Sequence, residues 1–415
     1  QEVGYAREKG LDVIITDHHQ PATLPNALAV VNPKRQDCDY PFKELSGVAL
    51  AFKLAYAIYK KRDVDLAPVL DNLDLVALGC AADIVPLVDE NRVLVTYGLE
   101  RMYQTENLGL RALLENLGLK GGQLTTEKLI FVLAPRINAL GRMGSAMEAV
   151  TLLTTSDEEE AGRIARMLEK KNQMRRRIDE QMLQEALEQV ETHVHPDKDR
   201  AVVLASEDWH PGVIGIVATR IAEKVHLPTV MISVDGKSSK GSGRSIPGFD
   251  LYAALSRCQD HLIAFGGHKY AAGLTIDHKR IETFRDVFLE VAKEMMVADD
   301  LVPKLYIESE ILLNQINMRL VDVLKRFAPF GAQNTRPVMA SRNVEVVGAP
   351  SIVGKNHLKF KARQSGQVFD CIGFNLGHLM YRLTPGESNL DMAYMIEENE
   401  WRGRKGIQLR IKDLR

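Results

Sequence analysis

The chain has 415 residues, which at roughly 100–200 residues per domain means two to four domains with enough length for real cores. Hydrophobic residues make up 45% and charged residues 26%, so global disorder is excluded, and no apolar run approaches the roughly 18 residues of a membrane helix. The net charge of −2 excludes a uniformly basic, histone-like binder, and four cysteines without a CxxC pair point away from a disulfide framework and toward a reducing cytoplasm.

The first residues, Gln1-Glu2-Val3, carry no initiator Met and no signal-like segment, and are expected to lie inside a longer protein. Glu2–Lys9 predicts a helix ended by Gly10. Leu11–Thr16 (LDVIIT) predicts a short buried strand, and the prolines at 21, 25, 33 and 41 keep the next segment from forming one long helix. Apolar helices are expected over Ser46–Lys61 and Leu66–Gly79. Pro135 is expected to end a helix and Ala146 to begin the next, leaving Arg136–Gly144 as a loop. Ser156, with Glu159 three residues later, fits a capping box for a helix reaching about residue 192, long enough to bridge domains. Its Arg175-Arg176-Arg177 triplet predicts either a solvated face or the wall of an interdomain cleft.

A βαβ pattern follows, with strands over Ala201–Ala205 and Thr229–Val234 around a helix over Gly212–Val225. Asp299–Pro303 reads as a boundary. Beyond it, Leu358, Phe360 and Ala362 alternate with Lys359, Lys361 and Arg363, and Ile407, Leu409 and Ile411 alternate with Gln408, Arg410 and Lys412. Period two with one apolar and one basic face predicts a small antiparallel barrel, with 402–406 as a basic hairpin turn. Residues 336–415 carry 13 Lys/Arg against 8 Asp/Glu, net +5, and the rest of the chain carries 40 against 47, net −7. Such a face beside Phe374 or Trp401 suits single-stranded nucleic acid, where cations track phosphates and rings stack on bases. The fold class is therefore α/β and multidomain, divided at 1–155, 156–192, 193–300 and 301–415.

Five clusters carry candidate chemistry. Asp17-His18-His19 ends a predicted strand, where ligands sit in α/β sheets. Imidazole and carboxylate together suit Mn²⁺ or a similar metal, one His ligating while the other touches substrate; a surface turn is the plainer alternative. Asp83, among apolar neighbours, needs a partner or a metal, or else caps a turn before Pro86. Arg136, Asn138 and Arg142 lie in the glycine-bearing RINALGRMG stretch, a reasonable phosphate cradle. Ser242 and Arg244 in GSGRS, and Gly266, Gly267 and His268 in GGHKYAAG, are further phosphate-binding candidates, each equally able to be an ordinary turn.

Leu11–His19 resembles the DHH motif of the DHH phosphoesterases, and Gly266–Gly273 resembles the GGHxxAAG signature of the DHH-associated domain. Arg136–Gly144, Trp209–Ile216, Gly241–Ile246 and Ala328–Pro337 extend the likeness to the bacterial single-strand-specific exonucleases of that family, over essentially the whole chain. The resemblance implies an incomplete DHH-type parallel-sheet domain, a long connecting helix, a DHH-associated α/β domain and a C-terminal OB-like β-barrel. It also implies a two-metal Mn²⁺ or Mg²⁺ site and 5′→3′ hydrolysis of single-stranded DNA to mononucleotides, in DNA repair and recombination. His18 and Asp83 would be metal ligands, His19 would contact the scissile phosphate, and Asp17 would orient the histidines. Ser242 and Arg244 would hold a terminal 5′-phosphate, Arg136 or Arg142 would grip the strand, and Lys359 and Lys361 would belong to the DNA-binding barrel.

Implied partners are 5′-phosphorylated single-stranded DNA, a single-strand-binding protein and a repair helicase, for a cytoplasmic monomer with no membrane association. The family's other carboxylate ligands come from an Asp-x-Asp motif and a further Asp about two dozen residues before the first His of the motif. Both would precede Gln1, so the chain is expected to be N-terminally incomplete and to show little or no activity by itself. Alternatives are another DHH phosphodiesterase, acting on short oligonucleotides or cyclic dinucleotides, and a non-catalytic DNA-binding relative.

Overall fold

The computed structural model describes every residue except Gln1, Ala22, Gln123, Pro196, Asp197, Lys237, Arg402 and Gly403, and every side chain except those eight and Glu400, Trp401, Arg404 and Lys405. The chain forms two compact units. One comprises Gln1–Glu106, Leu119–Ala134 and Leu305–Arg415, and the other Asn107–Gly118 and Pro135–Lys304.

The first unit begins with the helix Glu2–Glu8, closed by Gly10 at φ +73. Strands Ile14–Thr16 and Ala29–Val31 pair in parallel, Ile14 opposite Ala29. The strand is shorter than LDVIIT and is not buried: Leu11 is 62% and Ile14 58% exposed. A two-stranded ribbon of three-residue strands has too little neighbouring structure to cover both faces.

Ser46 caps the helix Gly47–Lys61, its Oγ accepting from the Ala49 N–H at 3.2 Å. The single helix expected over Leu66–Gly79 is two, Ala67–Leu70 and Leu73–Ala82. The break falls at Asp71-Asn72, where the Asn72 amide donates back to the Pro68 carbonyl instead of extending the ladder. Leu73–Ala82 is almost wholly buried and packs on Asp89–Met102.

The closest approach of that pair is at Gly98, where a Cβ would overlap the Leu73 carbonyl and lie 2.6 Å from the Ala77 Cβ. Both backbones are fixed helices, so Gly98→Ala is expected to lower stability by about 1–3 kcal/mol, read as a lower Tm. An unchanged Tm would mean that the helices are not in contact there.

The C-terminal part of this unit is a closed five-stranded barrel. Met339–Val353, His357–Gln364, Gln367–Gly373, Arg404–Leu414 and Ser388–Trp401 pair in that order, and the last returns to the first. The predicted alternation is met: Leu358, Phe360, Ala362, Leu409 and Ile411 fill the interior, while Lys359, Lys361, Arg363 and Lys412 face outward. The expected basic turn at 402–406 falls largely outside the described residues. The outer face is less free than its composition suggests, because Lys361 pairs with Asp370 at 3.1 Å and Arg363 pairs with Glu345.

In the second unit the 36-residue helix Glu158–His193 serves two cores. Its first half packs with Leu113, Leu140 and Leu152, its second half with Trp209, Val217 and Ile221. The cap is Asp157, not Ser156: its Oδ1 accepts from the Glu159 and Glu160 N–H groups at 2.9 and 3.4 Å. Arg175 is not on a solvated face. It is 8% exposed and engages Asn172 and Asp179 of the same helix.

The five-stranded sheet runs Val202–Ser206, Thr229–Ser233, Ser239–Arg244, Ala271–Ile276, Ala264–Gly267. The first pair is parallel, as the βαβ pattern requires, and the others are antiparallel. On the edge strand the Val203 carbonyl accepts from Arg285 Nε at 3.1 Å and the Ala205 carbonyl from Gln189 Nε2 at 3.4 Å. Side chains thus occupy acceptors that would otherwise recruit another strand.

Candidate functional site

The first unit carries the DHH triplet where Ile14–Thr16 ends. Asp17 is tied to the neighbouring strand through its N–H to the Val31 carbonyl at 3.1 Å. Its Oδ1 accepts from the His18 N–H at 2.8 Å and the His19 N–H at 3.2 Å, and lies 2.8 Å from His19 Nδ1. Burial works against this carboxylate, but the donors of His19 and His18 outweigh it and hold its pKa below the usual value. Asp17 therefore ties down the backbone of both histidines and holds the His19 ring by Nδ1.

His18 Nε2 stands 3.4 Å from Asp83 Oδ2. Asp83 caps the end of Leu73–Ala82 as a turn residue before Pro86, with its side chain 45% exposed and His18 as its partner. The two groups are wider apart than a tight charge-assisted hydrogen bond, and as an imidazole nitrogen beside a carboxylate oxygen they form a donor pair that suits Mn²⁺ or Mg²⁺ in kind. In number they fall short. No group of three His, Cys, Asp or Glu able to hold a metal occurs among the described residues.

Sequence reasoning missed one support of this site. Asn32 is 3% exposed; its Nδ2 donates to the His19 carbonyl at 2.9 Å and its Oδ1 accepts from the Lys34 N–H at 2.8 Å. An Asn before Pro33 at a strand end was the available signal.

The second unit gathers the arginines. Arg136, Asn138 and Arg142 lie on the helix Ala134–Met143, not in a loop. Pro135 stands inside a helical run that is continuous from Thr126 to Met143, directly behind the π-helical Leu129–Leu133, whose wider turn accommodates a residue without an N–H. Arg136 is 7% exposed and ion-paired to Glu169, Nε to Oε2 at 2.7 Å. Asn138 is exposed. Arg142 donates Nη1 to the Gly212 carbonyl at 3.0 Å and has no carboxylate partner among the described residues.

Ser242 and Arg244 sit on the strand Ser239–Arg244, with Arg244 Nη1 donating to Ser242 Oγ at 3.0 Å and the Gly243 carbonyl at 2.7 Å. Desolvation, then the charge of Arg142, pulls the Arg244 pKa down; desolvation does the same to Arg142. Arg142 and Arg244 are thus a half-buried pair of cations that repel each other, neither with a carboxylate partner among the described residues.

Glycines of the WHPGVIGI stretch make room for the pair. A Cβ at Gly215 would lie 2.8 Å from both Arg244 Nη2 and Ser242 Oγ, and one at Gly212 would overlap the Arg142 carbonyl. Gly266, Gly267 and His268 form the exposed end of the hairpin joining Ala264–Gly267 to Ala271–Ile276, with the His268 N–H bonded to the Ala271 carbonyl at 2.8 Å.

On the barrel, Lys359 is exposed without a charged partner among the described residues, whereas Lys361 is paired. Phe374 is 47% exposed, with the Arg410 guanidinium 5.0 Å above its ring and the His357 ring 5.2 Å away. The Trp401 side chain lies outside the described residues.

A His–Asp pair at a parallel-strand end, a pair of half-buried arginines in the second unit and a closed barrel are the features of a DHH-type chain. Family models agree along its length: the DHH family N-terminal domain matches residues 1–80, the DHHA1 domain 198–294 and the RecJ OB domain 307–413. The single-stranded-DNA-specific exonuclease RecJ of Bacillus subtilis is 39% identical over 99% of this chain, which spans 52% of that protein. The RecJ of Dickeya dadantii is 35% identical, and the chain spans 74% of it. The crystal structure of RecJ in complex with Mn²⁺ from Thermus thermophilus superimposes with a TM-score of 0.87 at 30% identity, over 100% of this chain and 59% of that one.

The chain belongs to the RecJ family.

Proposed function

We propose that this chain is part of a metal-dependent exonuclease that degrades single-stranded DNA 5′→3′ and releases 5′-mononucleotides in repair and recombination. The observation that carries the reading is the pairing of His18 Nε2 with Asp83 Oδ2 at 3.4 Å, beside a His19 that Asp17 holds by Nδ1. His18 and Asp83 would hold Mn²⁺ or Mg²⁺, whose chemistry when bound is to acidify a water and to draw charge from the scissile phosphate. His19 meets a phosphate oxygen through Nε2, with Asp17 holding the ring by Nδ1.

In this reading Arg142 and Arg244, with Ser242, take the 5′-phosphate. Arg142 is preferred to Arg136, whose charge is already engaged by Glu169. Lys359 and Phe374 carry the strand on the barrel, with Lys361 a lesser contributor because of Asp370. The working divisions are a DHH domain over 1–155, a connecting helix over 156–192, a DHH-associated domain over 193–300 and a barrel domain over 301–415. The protein acts in the cytoplasm as a monomer, on 5′-phosphorylated strands, with a single-strand-binding protein and a repair helicase as partners.

Two ligands seldom hold a divalent ion of this kind, so the 415-residue chain by itself is expected to cleave little. The test is an assay with Mn²⁺ on 5′-phosphorylated single-stranded DNA, beside a form extended at the N-terminus by the family's Asp motifs. The extended form is expected to be faster by at least about 10³-fold. Equal rates would overturn the ligand assignment.

A further inference from the structure

The turn that opens the WHPGVIGI stretch is anchored from two sides. Trp209 is 2% exposed; its Nε1 donates to Glu185 Oε2 of the helix Glu158–His193 at 3.0 Å, and its carbonyl accepts from Ser233 Oγ at 2.6 Å. Pro211 fixes one backbone angle of the turn. The His210 carbonyl accepts from the Val213 and Ile214 N–H groups at 2.9 and 3.2 Å and so starts the helix Ile214–Val225.

The His210 side chain folds back on the same turn. Its Nδ1 accepts from the Gly212 N–H at 3.0 Å. A ring nitrogen that accepts carries no proton, so this is a neutral imidazole with its proton on Nε2. The Gly212 carbonyl, in turn, accepts from Arg142 Nη1 at 3.0 Å, the one hydrogen bond that this guanidinium makes among the described residues. Position 212 must be glycine, because a Cβ there would lie 2.4 Å from the Arg142 carbonyl oxygen and 3.1 Å from His210 Cε1. Glycine is also the residue with the freest backbone, so a second contact is needed to fix where its carbonyl points. His210 supplies that contact. A carbonyl partner orients a guanidinium without cancelling its charge, whereas a carboxylate engages it, as Glu169 does with Arg136.

We propose that His210 is a positioning residue for the 5′-phosphate: its neutral ring holds Gly212, and the Gly212 carbonyl aims Arg142 at the phosphate beside Arg244 and Ser242. The proposal rests on the reading above that those three residues take the 5′-phosphate, and it involves no metal. His210 itself does not touch the strand.

The test is equilibrium binding of the full 415-residue chain to 5′-phosphorylated and 5′-hydroxyl single-stranded oligonucleotides of one sequence, at one salt concentration and without divalent metal. The readout is the preference, the ratio of the two Kd values. His210→Leu keeps an apolar bulk but has no acceptor, and is expected to lower the preference by about tenfold. His210→Asn is expected to recover it to within about twofold, because Oδ1 stands on the same side-chain branch point as Nδ1 and accepts from the N–H two residues on. In an Arg142→Gln background, His210→Leu is expected to change the preference by less than about twofold.

Should His210→Leu fail to fold, His210→Ala takes its place, with the same expectations. A preference unmoved by loss of the ring, even with weaker binding of both ends, would make His210 merely structural and overturn the proposal. So would a loss that His210→Asn does not recover, which would put Nε2 itself on the strand, or a loss that persists in full without Arg142. If the unsubstituted chain shows no preference for a 5′-phosphate, the phosphate reading is what fails. The hold on Gly212 is then judged by its amide exchange, expected to be faster in His210→Leu and slowed again in His210→Asn. Unchanged exchange in His210→Leu overturns the positioning role as well.

Discussion

In a form carrying the complete carboxylate set, His19→Ala is expected to lower the rate of single-strand hydrolysis by about 10²–10⁴-fold while leaving DNA affinity within about twofold. The physical reason lies in the contacts of the ring. His19 packs against little: its side chain is 63% exposed, and its Nδ1 is taken up by Asp17 at 2.8 Å. Removing the imidazole therefore costs little folding energy and removes a group whose proton matters only while charge moves at phosphorus. Asp17→Asn should follow in the same direction with a smaller loss. The amide still accepts the two backbone N–H bonds, but as a neutral group it holds the Nδ1 of His19 less firmly. Single-turnover cleavage measured beside equilibrium binding checks both. A collapse of binding in His19→Ala would make the residue structural and shift the phosphate contact elsewhere.

Arg244→Ala is expected to reduce the preference for a 5′-phosphorylated over a 5′-hydroxyl end by about 10–100-fold, the worth of a charged hydrogen-bond pair at about 1.5–3 kcal/mol. The guanidinium is half-buried, bonded only to Ser242 Oγ and the Gly243 carbonyl among the described residues, and repelled by Arg142. A phosphate dianion relieves that repulsion, whereas a hydroxyl does not. Gly215→Ala should mimic the loss without removing a charge, since its methyl would lie 2.8 Å from both Ser242 Oγ and Arg244 Nη2. Competition between the two substrate ends measures the ratio, and a preference unchanged in both variants would relocate the pocket.

Much of the architecture was legible because it rests on local periodicity. The period-two run at Leu358–Arg363 could bury only one face, and it does. The βαβ pattern over 201–234 could pair only in parallel, and it does. The helix after Thr155 announced itself by length and acidic start, although the cap proved to be Asp157. Where sequence reasoning failed, a local rule met a competing partner. Pro135 was read as a helix end but stands inside a helical run, behind a π-helical turn. Arg175, for which a solvated face or a cleft wall was open, turns inward to Asn172 and Asp179 and so is not on a solvated face. Leu11–Thr16 was read as a buried strand, yet burial depends on covering neighbours that a strand cannot specify.

The same division runs through the sites. The sequence by itself determined the residue types at each candidate site: imidazoles and a carboxylate at one, guanidiniums among glycines at another, and alternating cations on the barrel. Which of those groups stay available was decided by tertiary structure alone, because a charge is free or spent according to what folds beside it. Among the described residues, Glu169 engages Arg136 while Arg142 has no carboxylate partner, and Asp370 pairs with Lys361 while Lys359 has none. The chain brings Asp83 to His18 across 64 intervening residues (19–82), a meeting set by helix packing that no spacing rule encodes.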